Sequence, residues 1–178
     1  MKRQIIILAC MAVVFCLASG CNGPASSNKA FPSFLVGTWQ MEGGVWRIVI
    51  EPNGTVSSAF VPMGEAEIRP NQTTEFEMAD GSKSHITGGE FLAEYNPSTR
   101  ELFVSIEQKE IYIVLPGYTI NGNGLDTFRG PVSKDGSTWN AGWTNVFDYG
   151  PLFPQDVNDI YTEPIVFKKV AEPNAPVK

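Results

Sequence analysis

From Val36 to Val170 apolar and polar residues alternate in short runs separated by turn-forming residues, the period-two pattern of half-buried strands. Trp46, Ile48 and Ile50 alternate with Val45, Arg47 and Val49, and Pro52-Asn53-Gly54 then supplies a tight turn into Thr55 to Val61. Asn-Gly accepts the positive φ angles that such turns require. Thr74, Phe76 and Met78 alternate with Glu75 and Glu77, which predicts one buried and one solvated face before a turn at Asp80-Gly81. Further strands are predicted over Glu90 to Tyr95, Leu102 to Glu107, Ile111 to Leu115, Leu125 to Val132, Thr138 to Phe147 and Thr162 to Val170. Turns are expected at Asn96-Pro97-Ser98-Thr99, at Lys134-Asp135-Gly136-Ser137 and across Asn121 to Asp126. No segment carries the 3.6-residue period of an amphipathic helix, so parallel pairing has no crossover to use. The predicted fold is all-β, an antiparallel meander of about 8–11 strands in one domain over residues 33–170, and closing it into a barrel removes the edges an open sheet would expose. No repeat of 20 to 50 residues points to a propeller or solenoid.

The chain's first residues follow another pattern. Lys2 and Arg3 precede an apolar run of about 14 residues from Ile5 to Ala18, and no carboxylate occurs before Glu42. That run falls short of the roughly 20 residues a membrane-spanning helix needs. It closes with Leu17-Ala18-Ser19-Gly20-Cys21, which resembles the lipobox of bacterial lipoprotein signal peptides. The resemblance implies cleavage after Gly20, a diacylglycerol thioether on Cys21 and acylation of the new amino end. Small residues let the backbone enter a peptidase site, and only a thiol forms the thioether; Phe15 before Cys16 is too large for that setting. Ala18 departs from the family, which prefers Leu there. One acyl chain holds a protein only marginally, at about 0.8 kcal/mol per buried methylene, whereas several chains on one residue hold it permanently. The alternatives are secretion with a free Cys21 and an uncleaved anchor. Residues 1–20 are read as a signal peptide, 21–32 as a lipidated flexible tether and 171–178 as a fraying tail. Asn22, rather than Asp, after the cysteine resembles the outer-membrane sorting pattern of Gram-negative bacteria, which implies an envelope protein facing the periplasm.

Composition narrows the reading further. All three cysteines lie at or before position 21, so the processed domain has no disulfide and depends on a packed core. Cleavage after residue 20 of 178 leaves 158, enough for one substantial core. Without Lys2 and Arg3 the 13 basic side chains fall to 11 against 19 acidic ones, a net charge of −8 spread along the chain. That balance disfavours nucleic acid, which needs clustered Lys and Arg.

Val36-Gly37-Thr38-Trp39, followed by Gly43-Gly44-Val45-Trp46, resembles the opening of a calycin, the superfamily of lipocalins, fatty-acid-binding proteins and avidins. The resemblance implies a barrel with a central cavity, one end closed by the Trp39 indole next to Gly37 under a cation from the last strand, Lys168 or Lys169. The chain departs from lipocalins in offering neither a C-terminal helix nor a disulfide.

Trp139, Ala141, Trp143, Asn145 and Phe147 share one strand face, and in a barrel that face points inward. Trp46, Trp139, Trp143 and Phe147 are the candidate lining of a pocket for an apolar or planar ligand, with plain core packing as the alternative. His85 is the only histidine and lacks a nucleophile elbow beside it, so it reads as an exposed, turn-proximal residue. Glu65 with Glu67, and Glu75 with Glu77, lie on solvated faces rather than forming an acid–base pair. The long connection from Asp148 to Glu163 has the length of a binding loop, and Asp156, Asp159 and Glu163 are candidates for a calcium clip, with a stiff surface loop packed by Leu152 and Phe153 as the alternative. Together these features predict a membrane-anchored, lipocalin-like binding module without cofactor or catalysis, taking a small hydrophobic ligand or an envelope protein. The alternative is an envelope structural or assembly subunit with a filled barrel.

Overall fold

The computed structural model describes residues 31–62, 65–150, 160 and 162–170. Cys21, the signal peptide, most of the tether, Asp156, Asp159 and the 171–178 tail lie outside the described residues. A short 3-10 turn over Ser33–Leu35 leads into ten strands: β1 (Gly37–Met41), β2 (Arg47–Ile50), β3 (Val56–Val61), β4 (Ala66–Ile68), β5 (Thr73–Glu77), β6 (Lys83–Asn96), β7 (Glu101–Leu115), β8 (Tyr118–Pro131), β9 (Thr138–Asp148) and β10 (Glu163–Lys169). They form one sheet in the order β4-β3-β2-β1-β10-β9-β8-β7-β6-β5, every neighbour antiparallel. This is the expected meander, and β1 pairing with β10 joins its first and last strands in a nearly closed, calycin-like barrel.

The remaining seam, between β4 and β5, is bridged outside the ladder. Thr74 Oγ1 donates to the Glu67 carbonyl at 2.9 Å, the Asn71 N–H donates to the Gly88 carbonyl at 3.1 Å, and the Gly88 N–H donates to the Gln72 carbonyl at 3.0 Å. Gly88 permits that approach, because a Cβ there would sit 2.2 Å from the Arg69 carbonyl oxygen. The first bond satisfies one edge carbonyl of β4, and the other two tie the β4–β5 connection to β6.

Four hairpin connections use one local device, a carboxylate or amide followed two residues later by a hydroxyl. Asn53, Asp80, Asn96 and Asp135 accept hydrogen bonds from both the N–H and the hydroxyl of Thr55, Ser82, Ser98 and Ser137 respectively. Side-chain-to-backbone bonds of this kind mimic a backbone turn. Bonds from Ser133 and Ser137 hold the Asp135 carboxyl down to about 2.

Two segments depart from expectation. Asn121 to Asp126 forms no turn; β8 runs through it, and the chain reverses at Pro116-Gly117 instead, with Gly117 at φ 88°. Gly122 serves close packing, since a Cβ there would lie 2.0 Å from the Asp148 carbonyl oxygen. Leu102 to Glu107 and Ile111 to Leu115 are halves of the single strand β7, joined through a bulge between Gln108 and Ile111 that bends it around the barrel. His85 is the third residue of β6, close after the Asp80-Gly81 turn, and half-buried, its ring stacked on Tyr112 at 5.1 Å and its Nε2 3.7 Å from Glu110.

The aromatic part of the core lies beside the 3-10 turn. Trp39, Trp139, Phe128 and Phe167 are fully buried, with Trp139 stacked on Phe167 at 4.8 Å and set edge-on to Trp39 at 6.2 Å. Such pairs contribute about 0.5–1.5 kcal/mol each beyond their area burial. Trp39 Nε1 donates to the Leu35 carbonyl at 2.9 Å and Trp139 Nε1 to the Gly130 carbonyl at 3.1 Å, so both indoles are buried at no polar cost.

Candidate functional site

Interior side chains at the other end of the barrel leave space. A cavity of about 370 Å3 is lined by Trp46, Val61, Pro62, Gln108, Asp126, Trp143, Asn145 and Tyr149. Strand alternation places these groups together. Asp126 of β8 pairs in register with Asn145 of β9, Phe128 pairs with Trp143, and Gln108 follows Ile106 by two on the inner face of β7. Trp46 leads into β2 and stands edge-on to both Phe128, at 5.0 Å, and Trp143, at 6.0 Å. Tyr149, just beyond β9, stacks on Phe147 at 4.3 Å.

The polar centre is Asp126, only 1% exposed. Its Oδ1 accepts from Trp143 Nε1 and Asn145 Nδ2, both at 2.8 Å, and its Oδ2 accepts from Gln108 Nε2 at 2.5 Å. Burial pushes the carboxyl up to about 6, against the opposing pull of those three hydrogen bonds. Burial and the Asp126 charge push the Tyr149 phenol up to about 12. Among the described residues no Lys, Arg or His forms an ion pair with Asp126. Trp46 contrasts with the other indoles: its Nε1 is buried and has no hydrogen-bond partner among the described residues. A buried donor left unpaired costs about 1–3 kcal/mol. The cavity therefore presents three aromatic rings and one carboxylate, and the unpaired Trp46 N–H is buried in its wall.

Of the four residues predicted to line a pocket, Trp46 and Trp143 do so. Trp139, four residues before Trp143 on the same strand face, belongs to the packed core, because Phe167 and Phe128 fill the space over its ring. Phe147 lines a separate depression of about 240 Å3 with Glu107, Leu125 and Val146. Gly37 and Trp39 lie at the closed end. Lys168 points outward, its ammonium on Thr138 Oγ1 at 3.2 Å, and Lys169 is the cation on the Trp39 side, paired with Trp39 in register and donating to the Phe34 carbonyl at 2.8 Å. Glu163 is exposed at the start of β10, and among the described residues no three metal-ligating side chains converge.

Asp126 and Gln108 escaped the sequence reading. Their signal was parity: Asp126 is in phase with Phe128, and Gln108 with Ile106, so each carries a polar group onto an apolar face. The glycines of Asn121 to Gly124 masked that phase by imitating a turn. Compared with known protein families, with curated proteins and with solved structures, the chain matches none.

Proposed function

We propose that this protein is a lipid-anchored binding protein of the bacterial envelope, which takes a small molecule into the open end of its barrel and performs no chemistry on it. The observation that carries the proposal is the aromatic-walled cavity of about 370 Å3. Its volume falls within the roughly 300–1,000 Å3 of small-molecule sites, which combine apolar walls with a few convergent polar groups. The wall also holds a buried Asp126 carboxylate with no ion-pair partner among the described residues and a buried Trp46 N–H with no hydrogen-bond partner among them, two groups that packing of the fold does not itself require. The anchor rests on the Leu17-Ala18-Ser19-Gly20-Cys21 lipobox resemblance.

Native mass spectrometry of full-length protein extracted in detergent from its host tests both parts. The expected spectrum shows a chain beginning at a multiply acylated Cys21 and carrying a small co-purified molecule. An unmodified chain beginning at Met1 overturns the anchor. A processed chain with no adduct, whose cavity tryptophans also ignore added small molecules, overturns the binding role and favours an envelope structural subunit.

A further inference from the structure

The cavity's polar groups specify a ligand charge. We infer that the cavity binds a small organic cation, an alkyl- or arylammonium group seated against the Asp126 carboxylate and among the faces of Trp46, Trp143 and Tyr149. This inference deepens the proposed small-molecule site and rests on it.

A carboxylate offers about four acceptor positions. The fold fills two on Oδ1 from Trp143 and Asn145 and one on Oδ2 from Gln108, which leaves a position on Oδ2 for a donor from outside. All three fold donors are neutral, so the negative charge stays uncompensated by any described cation. Burying an ion unpaired is costly, and a bound ammonium is the group that removes this cost. The walls suit the same guest. Trp46 and Trp143 meet edge-on at 66° with centroids 6.0 Å apart, and Tyr149 lines the same cavity. Aromatic faces attract cations through their quadrupoles, by about 2 kcal/mol or more in desolvated sites, with Trp the strongest. An anionic ligand is disfavoured by Asp126 itself, whose field also helps to hold the Tyr149 phenol protonated.

Three probes of matched size separate the contributions: benzylammonium, benzyl alcohol and benzoate. Each is titrated into full-length 15N-labelled protein in detergent at pH 7.5, following the indole N–H resonances of Trp46 and Trp143. Benzylammonium is expected to bind roughly 10- to 100-fold more tightly than benzyl alcohol, the factor for one charge-assisted hydrogen bond, with benzoate weaker still. Asp126→Asn abolishes the preference. So does lowering the wild type to pH 4.5: Gln108 from β7 and Trp143 and Asn145 from β9 bond Asp126, Trp46, Val61, Pro62 and Tyr149 complete the lining, and of all these only Tyr149 titrates, far above neutrality. Equal or tighter binding of benzyl alcohol or benzoate overturns the cation assignment while leaving a binding cavity in place, as does a preference that survives in Asp126→Asn or at pH 4.5. Silence of both indoles to all three probes overturns the binding site along with it.

Discussion

Asp126→Asn is expected to stabilise the ligand-free protein at neutral pH. The carboxyl is 1% exposed, and its pKa rises from 3.8 in the unfolded chain to about 6 in the fold. A raised acid pKa means that the folded state binds a proton more tightly than the unfolded state does. Stability from this group is therefore complete below pH 3.8 and declines as pH rises toward 6, after which the loss is constant. The gap of about 2 pKa units at 1.36 kcal/mol each amounts to about 3 kcal/mol. Asparagine keeps the shape and is always neutral: its Oδ1 accepts from Trp143 and Asn145, and its Nδ2 donates to Gln108 once that amide turns its oxygen inward. Wild type and variant should be nearly equal near pH 4 and diverge by about 1.4 kcal/mol per unit up to pH 6, with a plateau above it. For a domain of this size the plateau corresponds to roughly 6–12 °C in Tm. Thermal unfolding followed by circular dichroism, on protein stripped of ligand by refolding, measures the difference from pH 4 to pH 8. Taking the difference at each pH cancels the other carboxylates. A gap independent of pH, or a variant less stable than wild type at pH 8, refutes the assignment of Asp126 as a buried, uncompensated charge.

Two further perturbations test the packing. Gly122→Ala should destabilise by roughly 1–3 kcal/mol in urea titration, because its methyl meets the Asp148 carbonyl at 2.0 Å and backbone must move; a neutral outcome shows that 121–126 is an open turn after all. Trp139→Phe should cost more than Trp46→Phe, since the first leaves the Gly130 carbonyl without its donor whereas the second removes a donor that had no partner; the reverse order in matched denaturation curves contradicts the hydrogen-bond assignment of the two indoles.

The amino-acid sequence by itself determined the all-β class, the meander and four of the hairpins, because those are local. Period-two alternation such as Trp46, Ile48, Ile50 reports a half-buried strand wherever it occurs, and an Asn or Asp two residues before a hydroxyl closes its turn with its own atoms. Trp143 and Trp46 were legible as inward-facing aromatics for the same reason. Tertiary structure alone decided which inward residues meet space and which meet one another. Trp139 and Trp143 share a strand face four residues apart, yet Phe167 fills the volume over the first and nothing described fills it over the second. The site's charge was hidden for a related reason. Asn121 to Gly124 satisfies the composition of a turn, and only the approach of Asp148 to Gly122 shows that this glycine makes room for a neighbouring strand in a β8 that runs on through Asp126. Whether a glycine bends a chain or admits a neighbour depends on atoms distant in sequence, and a one-dimensional pattern carries no record of them.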